Sequence, residues 1–396
     1  MQIIYSVHTH NPTSTIAMNT FLRSKINLYY FISMVALLFV HNYNYAPFVI
    51  TPSTRAIIPF SLTNFVELLF SNSLLRFRMG LLMAISGYLM ANSKMIPYKD
   101  LLIKKTRTLL IPYVVIGIIG LIITFIFETV IFGWHNTSSN GMIAKSIWNF
   151  TWKDFVTYIF VAPVSFQLWY LKTIFMMALL SPLIRLVLQK FPLPALAIMF
   201  VIWLFTNYLD GETRDRAFIF YGFGYYLRLY DKDISKPVKG LNPYLALVIF
   251  ITISLFRATM AFYTPSYFHH LKYILTITFK LNELFSFYAV WFCFQDMIKA
   301  ILNSPFYQKY CGCSFFVYAF HAPFINYVSQ WLRWKGAYEV QGSHAVLYIL
   351  LPAFVLLLIM VLDKLVKQYL PHLFLLISGG RGQVIKRPAM SLQVTL

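Results

Sequence analysis

Apolar runs of membrane-spanning length follow one another along this chain, and that repetition limits its fold more than any other feature. A helical crossing of a bilayer needs about 20 predominantly apolar residues. Backbone groups inside lipid must bond within their own segment, which leaves helices as the open-chain solution. The alternating pattern of an outer-membrane barrel is missing. The runs fall at 28–46, 76–93, 108–127, 166–187, 193–209, 215–230, 241–260, 280–299, 311–330 and 344–366. They predict an all-α integral membrane protein of about ten transmembrane helices, in place of two or three soluble domains. Composition agrees: 12% of residues are charged, against about 25% in soluble domains.

The formal net charge is +20. In a soluble chain that excess would suggest nucleic acid. Here the basic residues gather in loops between apolar runs, so no nucleic-acid partner is read and the positive-inside rule accounts for them. Lys94, Lys99, Lys104, Lys105 and Arg107 lie between the second and third runs; Arg228, Lys232, Lys236 and Lys239 follow the sixth. Lys364, Lys367, Arg381, Lys386 and Arg387 end the chain on the same side. The bias places both termini in the cytoplasm. Stretches 48–75 and 128–165 then become outward loops, the second holding "DFVTYIFVAPVS", suited to a shallow or re-entrant helix. The chain divides into a short cytoplasmic segment (1–25), a polytopic membrane domain (26–370) and a basic, glycine-containing tail (371–396) expected against the inner lipid surface. The first twenty residues lack the pattern of a cleaved signal, so the first run is expected to remain as an anchor. Cys293, Cys311 and Cys313 form neither a disulfide framework nor a metal set.

Ionisable residues inside spans are functional hypotheses by default. His41 closes the oily stretch "MVALLFVHNYNY". Arg76 and Arg78 open the second run, Lys172 sits in "FQLWYLKTIFMMALLSPLI", and His321 in "SFFVYAFHAPF". Arg257 and Asp296, near run ends, read as side chains reaching for the headgroups. A histidine exchanges a proton near neutral pH. His41, next to Asn42 and Tyr43, would form a wet, aromatic mouth suited to a sugar ring, and equally a channel mouth. His321 is set among apolar residues and needs a bonding partner. Both histidines would also serve to bond helices together. The residues alone leave chemistry and structure open.

Five segments in order, "NLYYFISMVALLFVH", "RMGLLMAISGYLM", "KKTRTLLIPY", "FQLWYLKTIFMMALLSPLI" and "SFFVYAFHAPF", resemble the bacterial membrane-bound acyltransferase 3 family across about residues 23–370. The resemblance implies an acyltransferase 3-like bundle in the bacterial inner membrane. It implies transfer of an acyl group, acetyl from acetyl-CoA by default, to a hydroxyl of an extracytoplasmic glycan or small-molecule acceptor, in the setting of envelope polysaccharide machinery. The acyl-CoA is then a substrate; no tightly bound cofactor and no metal are implied. The family's first-helix catalytic histidine corresponds to His41. Many members place an arginine eleven residues earlier; here that position is Tyr30, which donates a hydrogen bond but carries no fixed charge. The family's basic pair corresponds to Lys104 and Arg107, with Lys105 allowing another register, and implies donor phosphates held from the cytoplasm. Arg78 and Lys172 are candidate oxyanion donors. His321 joins them as a catalytic candidate. Trp169 and Tyr170 would line a tunnel or stack on a sugar, with Tyr30, Asn42 and Tyr43 as further substrate contacts. Ser86 and Gly87 look architectural, letting helices approach. The competing class is a polytopic transporter or flippase of a polar lipid or glycan, which embedded charges would also suit.

Overall fold

The computed structural model describes residues 20–42, 60–91, 97–133, 146–205, 214–260, 262 and 271–380. Among them every regular element is helical. In chain order they are α1 (Thr20–Asn42), α2 (Leu62–Asn72), α3 (Phe77–Ala91), α4 (Tyr98–Lys105), α5 (Ile111–Ile126), α6 (Trp152–Val156), α7 (Trp169–Leu179), α8 (Ser181–Lys190) and α9 (Pro192–Phe205). Then come α10 (Arg214–Leu229), α11 (Pro243–Met260), α12 (Leu271–Cys293), α13 (Gln295–Leu302), α14 (Pro305–Tyr310), α15 (Ser314–Trp334), α16 (Ser343–Tyr369) and α17 (Pro371–Ser378).

Five of the described helical stretches are long and apolar enough to cross a membrane, and up to eight if each sharply bent pair counts as one span. Large apolar side chains face outward along them, among them Leu245 and Val248 on α11 and Leu350, Phe354 and Leu357 on α16. Such a belt suits hydrocarbon and would be a liability in water. The chain is therefore a multi-pass membrane bundle. α1 is central, packed on α3, α15 and α16. Its base is fixed by Lys25, whose ammonium donates to the Trp291 carbonyl at 2.7 Å and lies 4.1 Å over that indole.

Helices α3 and α10 cross in backbone contact. A Cβ added at Gly87 would stand 2.0 Å from the Tyr221 carbonyl oxygen, and one at Gly224 1.9 Å from that of Ala84. Only glycine fits such a crossing.

The loop expected over 48–75 contains α2. Ser61 caps it by accepting from the Asn64 N–H at 3.1 Å, and a short 3₁₀ turn carries it into α3, making Leu62–Ala91 one spanning stretch. Its polar residues hid it in the hydropathy pattern, although Asn64, Glu67, Ser71 and Asn72 are all buried. The "DFVTYIFVAPVS" segment forms α6 and a π turn, bent 55° from the helical stretch that holds α7, as a re-entrant element would be. Arg257 does not reach for headgroups: it is buried, donates to the Leu275 carbonyl at 2.6 Å and lies 5.0 Å over the Phe279 ring. Asp296 is exposed and pairs with Lys299 at 3.0 Å.

The start of the expected tail belongs to the bundle. The apolar "HLFLLI" run makes α17, which buries Phe374 and Ile377 and packs on α5. Gly379 ends it at φ +62°, where a Cβ would meet the Thr108 carbonyl oxygen at 2.6 Å. Residues 381–396 lie outside the described residues.

Candidate active site

A cavity of about 630 Å³ opens among α1, α3, α4, α7, α10 and the start of α15. Lys104 and Lys105 form part of its wall. Arg107 does not. A π turn over Thr106–Leu110 follows Lys105, and Arg107 within it is exposed and off the cavity. The Lys104–Lys105 register is the one that faces the cavity.

Three hydroxyls meet on the cavity wall. Ser86 donates to the Leu82 carbonyl at 2.8 Å and Tyr170 to the same carbonyl at 3.3 Å, and the Ser86 hydroxyl lies 3.0 Å from that of Tyr170 and 3.4 Å from that of Tyr30. Two of the expected substrate contacts, Tyr30 and Tyr170, thus line the same space as the lysines. Trp169 is half-buried, edge-on to Tyr170 at 6.0 Å.

The cavity stops at a riveted partition. The Tyr318 hydroxyl donates to the Gln167 carbonyl at 2.8 Å and accepts from the Leu171 N–H at 3.2 Å. The Gln167 side chain donates to the Ala319 carbonyl at 2.8 Å. Phe166, one residue earlier, sets its ring edge-on to His41 at 4.8 Å.

Beyond the partition lie the two histidines. Their rings stack at 5.4 Å between centroids, 24° from parallel. His321 is fully buried, one turn past Tyr318, a rise of about 4.5 Å. Its Nδ1 sits 3.0 Å from the Val317 carbonyl and 2.9 Å from that of Tyr318. Carbonyls only accept, so Nδ1 carries the hydrogen and Nε2 keeps the lone pair. Nε2 has no hydrogen-bond partner among the described residues. Arg76 and Arg78 stand close enough to act electrostatically on His41, and Arg78 is held by the Leu75 carbonyl at 2.7 Å. α15 continues thirteen residues past His321, about 20 Å, so the pair lies within the bundle and not at its rim.

Other expected residues are placed elsewhere. Lys172 is exposed and donates to the Phe160 carbonyl at 3.2 Å, away from both cavity and histidines. Asn42 spends its amide on the Leu347 and Tyr348 carbonyls, both at 3.1 Å, tying α1 to α16. Tyr43 lies outside the described residues. Sequence reasoning gave no role to Gln167 or Tyr318 and treated Ser86 as architecture. A polar residue amid an apolar, aromatic run was the available signal for Gln167. Among the described residues no three His, Cys, Asp or Glu side chains are placed to hold a metal ion.

Comparison with known proteins gives two findings. Residues 23–363 match the acyltransferase domain family. The succinoglycan biosynthesis protein ExoH of Rhizobium meliloti (strain 1021) is similar, at 22% identity over 367 residues, covering 90% of this chain and 92% of that one. No solved structure matches. A family match across the whole spanning bundle, from the base of α1 to near the end of α16, makes this chain a member of the acyltransferase family and an enzyme of acyl transfer.

Proposed function

We propose that the chain takes an acyl group, acetyl from acetyl-CoA, at a cytoplasmic cavity and transfers it to a hydroxyl of an extracytoplasmic glycan. One observation carries the reading: a cavity with lysines in its wall ends one helical turn short of a stacked histidine pair. The acceptor fits the similarity to a protein of succinoglycan biosynthesis. Ten spans are supported by adding α10 and α15 to the eight apolar stretches. Both helices are walled by neighbours and so need little apolarity of their own. The basic loops then put both termini in the cytoplasm of a bacterial inner membrane.

In this reading Lys104 and Lys105 hold the donor phosphates, and the donor's arm passes Tyr30, Ser86 and Tyr170 toward Tyr318. His41 removes the acceptor proton. The acceptor oxygen attacks the thioester carbonyl carbon, and Arg78 steadies the oxyanion that forms. The C–S bond breaks, and the leaving thiolate takes the proton from the imidazolium. His321, its Nδ1–H already engaged, offers Nε2 as a lone pair beside the reacting hydroxyl. Arg107 then serves as a topology signal, and Lys172 as a tie to the π turn after α6.

The test is transfer of label from radioactive acetyl-CoA to a polysaccharide fraction from a strain deleted for this chain, using protein reconstituted in vesicles. Alkali-labile label in the polysaccharide, with donor required on the face that bears Lys104, is expected. Movement of polysaccharide across the vesicle with no covalent label would establish the transporter instead.

Neutralising Lys104 and Lys105 together is expected to raise the acetyl-CoA KM by about ten- to a hundredfold, with kcat little changed, as loss of uniform binding requires. An unchanged KM would return both lysines to the role of topology signals.

A further inference from the structure

A second, narrower crevice lies on the opposite side of α3 from the donor cavity. On that helix Ala84, Ile85 and Tyr88 face the crevice, whereas Ser86, Leu89 and Met90 face the cavity. It measures about 100 Å³, against about 630 Å³ for the cavity. Its walls come from α1, α3, α10 and α12 and are almost wholly apolar. Polar groups on its lining are few: the hydroxyls of Tyr88 and Tyr288, Asp233 and Lys236.

The crevice is built, not incidental. Its deep wall includes Ala84 and Gly224, where α3 and α10 meet backbone to backbone. The loop that covers it, 230–242, is strapped to α12 by three hydrogen bonds. Trp291 donates its indole N–H to the Ile234 carbonyl at 2.8 Å, Tyr288 donates to the Leu241 carbonyl at 2.8 Å, and the Val238 N–H donates to Tyr288 at 3.1 Å.

Charge at the mouth selects the occupant. Lys236 is exposed at the opening, with Lys232 and Lys239 on the same loop. The acids there are already engaged: Asp231 pairs with Arg228 at 3.2 Å, and Asp233 accepts from the Ser235 N–H and hydroxyl at 2.9 and 2.6 Å. A narrow apolar slot with a cationic mouth on the basic side of a membrane protein matches one acyl chain and the phosphate above it. An acyl-CoA held by Lys104 and Lys105 is separated from the slot by α3, so the acyl chain in the slot is not the donor's.

We propose that this crevice is a specific site for an anionic phospholipid of the leaflet at the basic loops, with one acyl chain between α3, α10 and α12 and its phosphate at Lys236. The lipid braces Trp291, which stacks on Tyr29 of α1 at 5.3 Å and receives Lys25. It therefore steadies the base of the helix that ends in His41.

Native mass spectrometry tests the site on protein exchanged into nanodiscs of phosphatidylglycerol mixed with phosphatidylcholine. Wild-type protein is expected to retain one phosphatidylglycerol after the others are stripped. Leu227→Trp, which fills the crevice, is expected to lose that lipid while keeping its thermal transition in detergent. Lys236→Glu is expected to cut the preference for the anionic lipid about fivefold. Lys239→Glu, the same charge change on the same loop outside the crevice lining, is expected to leave it intact. Equal effects of Lys236→Glu and Lys239→Glu would reduce the site to general surface charge. Retention by a folded Leu227→Trp protein would place the lipid elsewhere. Neither result depends on acetyl transfer being measured.

Discussion

The His41→Ala enzyme is expected to insert, bind donor and lose about 10²–10⁴-fold in turnover, the usual worth of a positioned base. Donor binding should survive because the cavity wall on α1 ends at Met34, seven residues or about 10 Å before His41. His41→Gln should not rescue turnover, since an amide hydrogen-bonds but does not take up a proton at working pH. The stacked partner makes the measurement sharper. His321→Asn can still donate to the backbone carbonyls but loses the basic Nε2, so its turnover reports the value of that lone pair beyond the value of the anchor. Single-turnover assays with labelled acetyl-CoA, at matched protein in the membrane, read both effects. Wild-type turnover in well-inserted His41→Ala protein would defeat the mechanism and leave the fold untouched.

Gly87→Ala and Gly224→Ala are expected to be the most damaging single-methyl changes in the described bundle. At these two positions a Cβ meets a backbone carbonyl at 2.0 and 1.9 Å, with no flexible side chain to yield. The helices must separate, at a cost at or above the upper end of overpacking, about 3 kcal/mol. α3 carries Arg78 and Ser86, so separation shifts the site as well as the fold. Thermal unfolding in detergent checks this. Gly312→Ala, where a Cβ would meet nothing within 4 Å, is the control. Equal melting temperatures for Gly87→Ala, Gly312→Ala and wild type would show that the crossing is looser than its geometry implies.

His41, Arg78, His321 and the basic segment were legible because a charge or a titratable ring stands out in an apolar run. Their mutual placement was not. Nothing local says that position 321 stacks on position 41, since only packing of α1 against α15 creates that neighbourhood. Lys105 and not Arg107 lines the cavity because of what each side of the segment packs against, which leaves no mark in hydropathy. Tyr30, named for the family's arginine position, and Tyr170, named as a tunnel residue, both line the cavity, but their side of the membrane depends on the depth at which each helix is cut by the bilayer. Glu67 went unseen in a stretch read as loop, because a helix buried among protein neighbours need not look like one facing lipid.

The glycine turn that closes α17 on Thr108 sets an order of assembly. Thr108 bonds back to the Lys104 carbonyl at 2.9 Å, inside the basic segment. Its neighbour Gly379 is encoded some 270 residues later. At ribosomal speeds of about 5–20 residues per second, that interval is roughly 15–50 s. The basic segment therefore stays without its flanking helix until some 270 further residues have been made. A translocon partner or chaperone has that long to find it, and a nascent chain has that long to go astray.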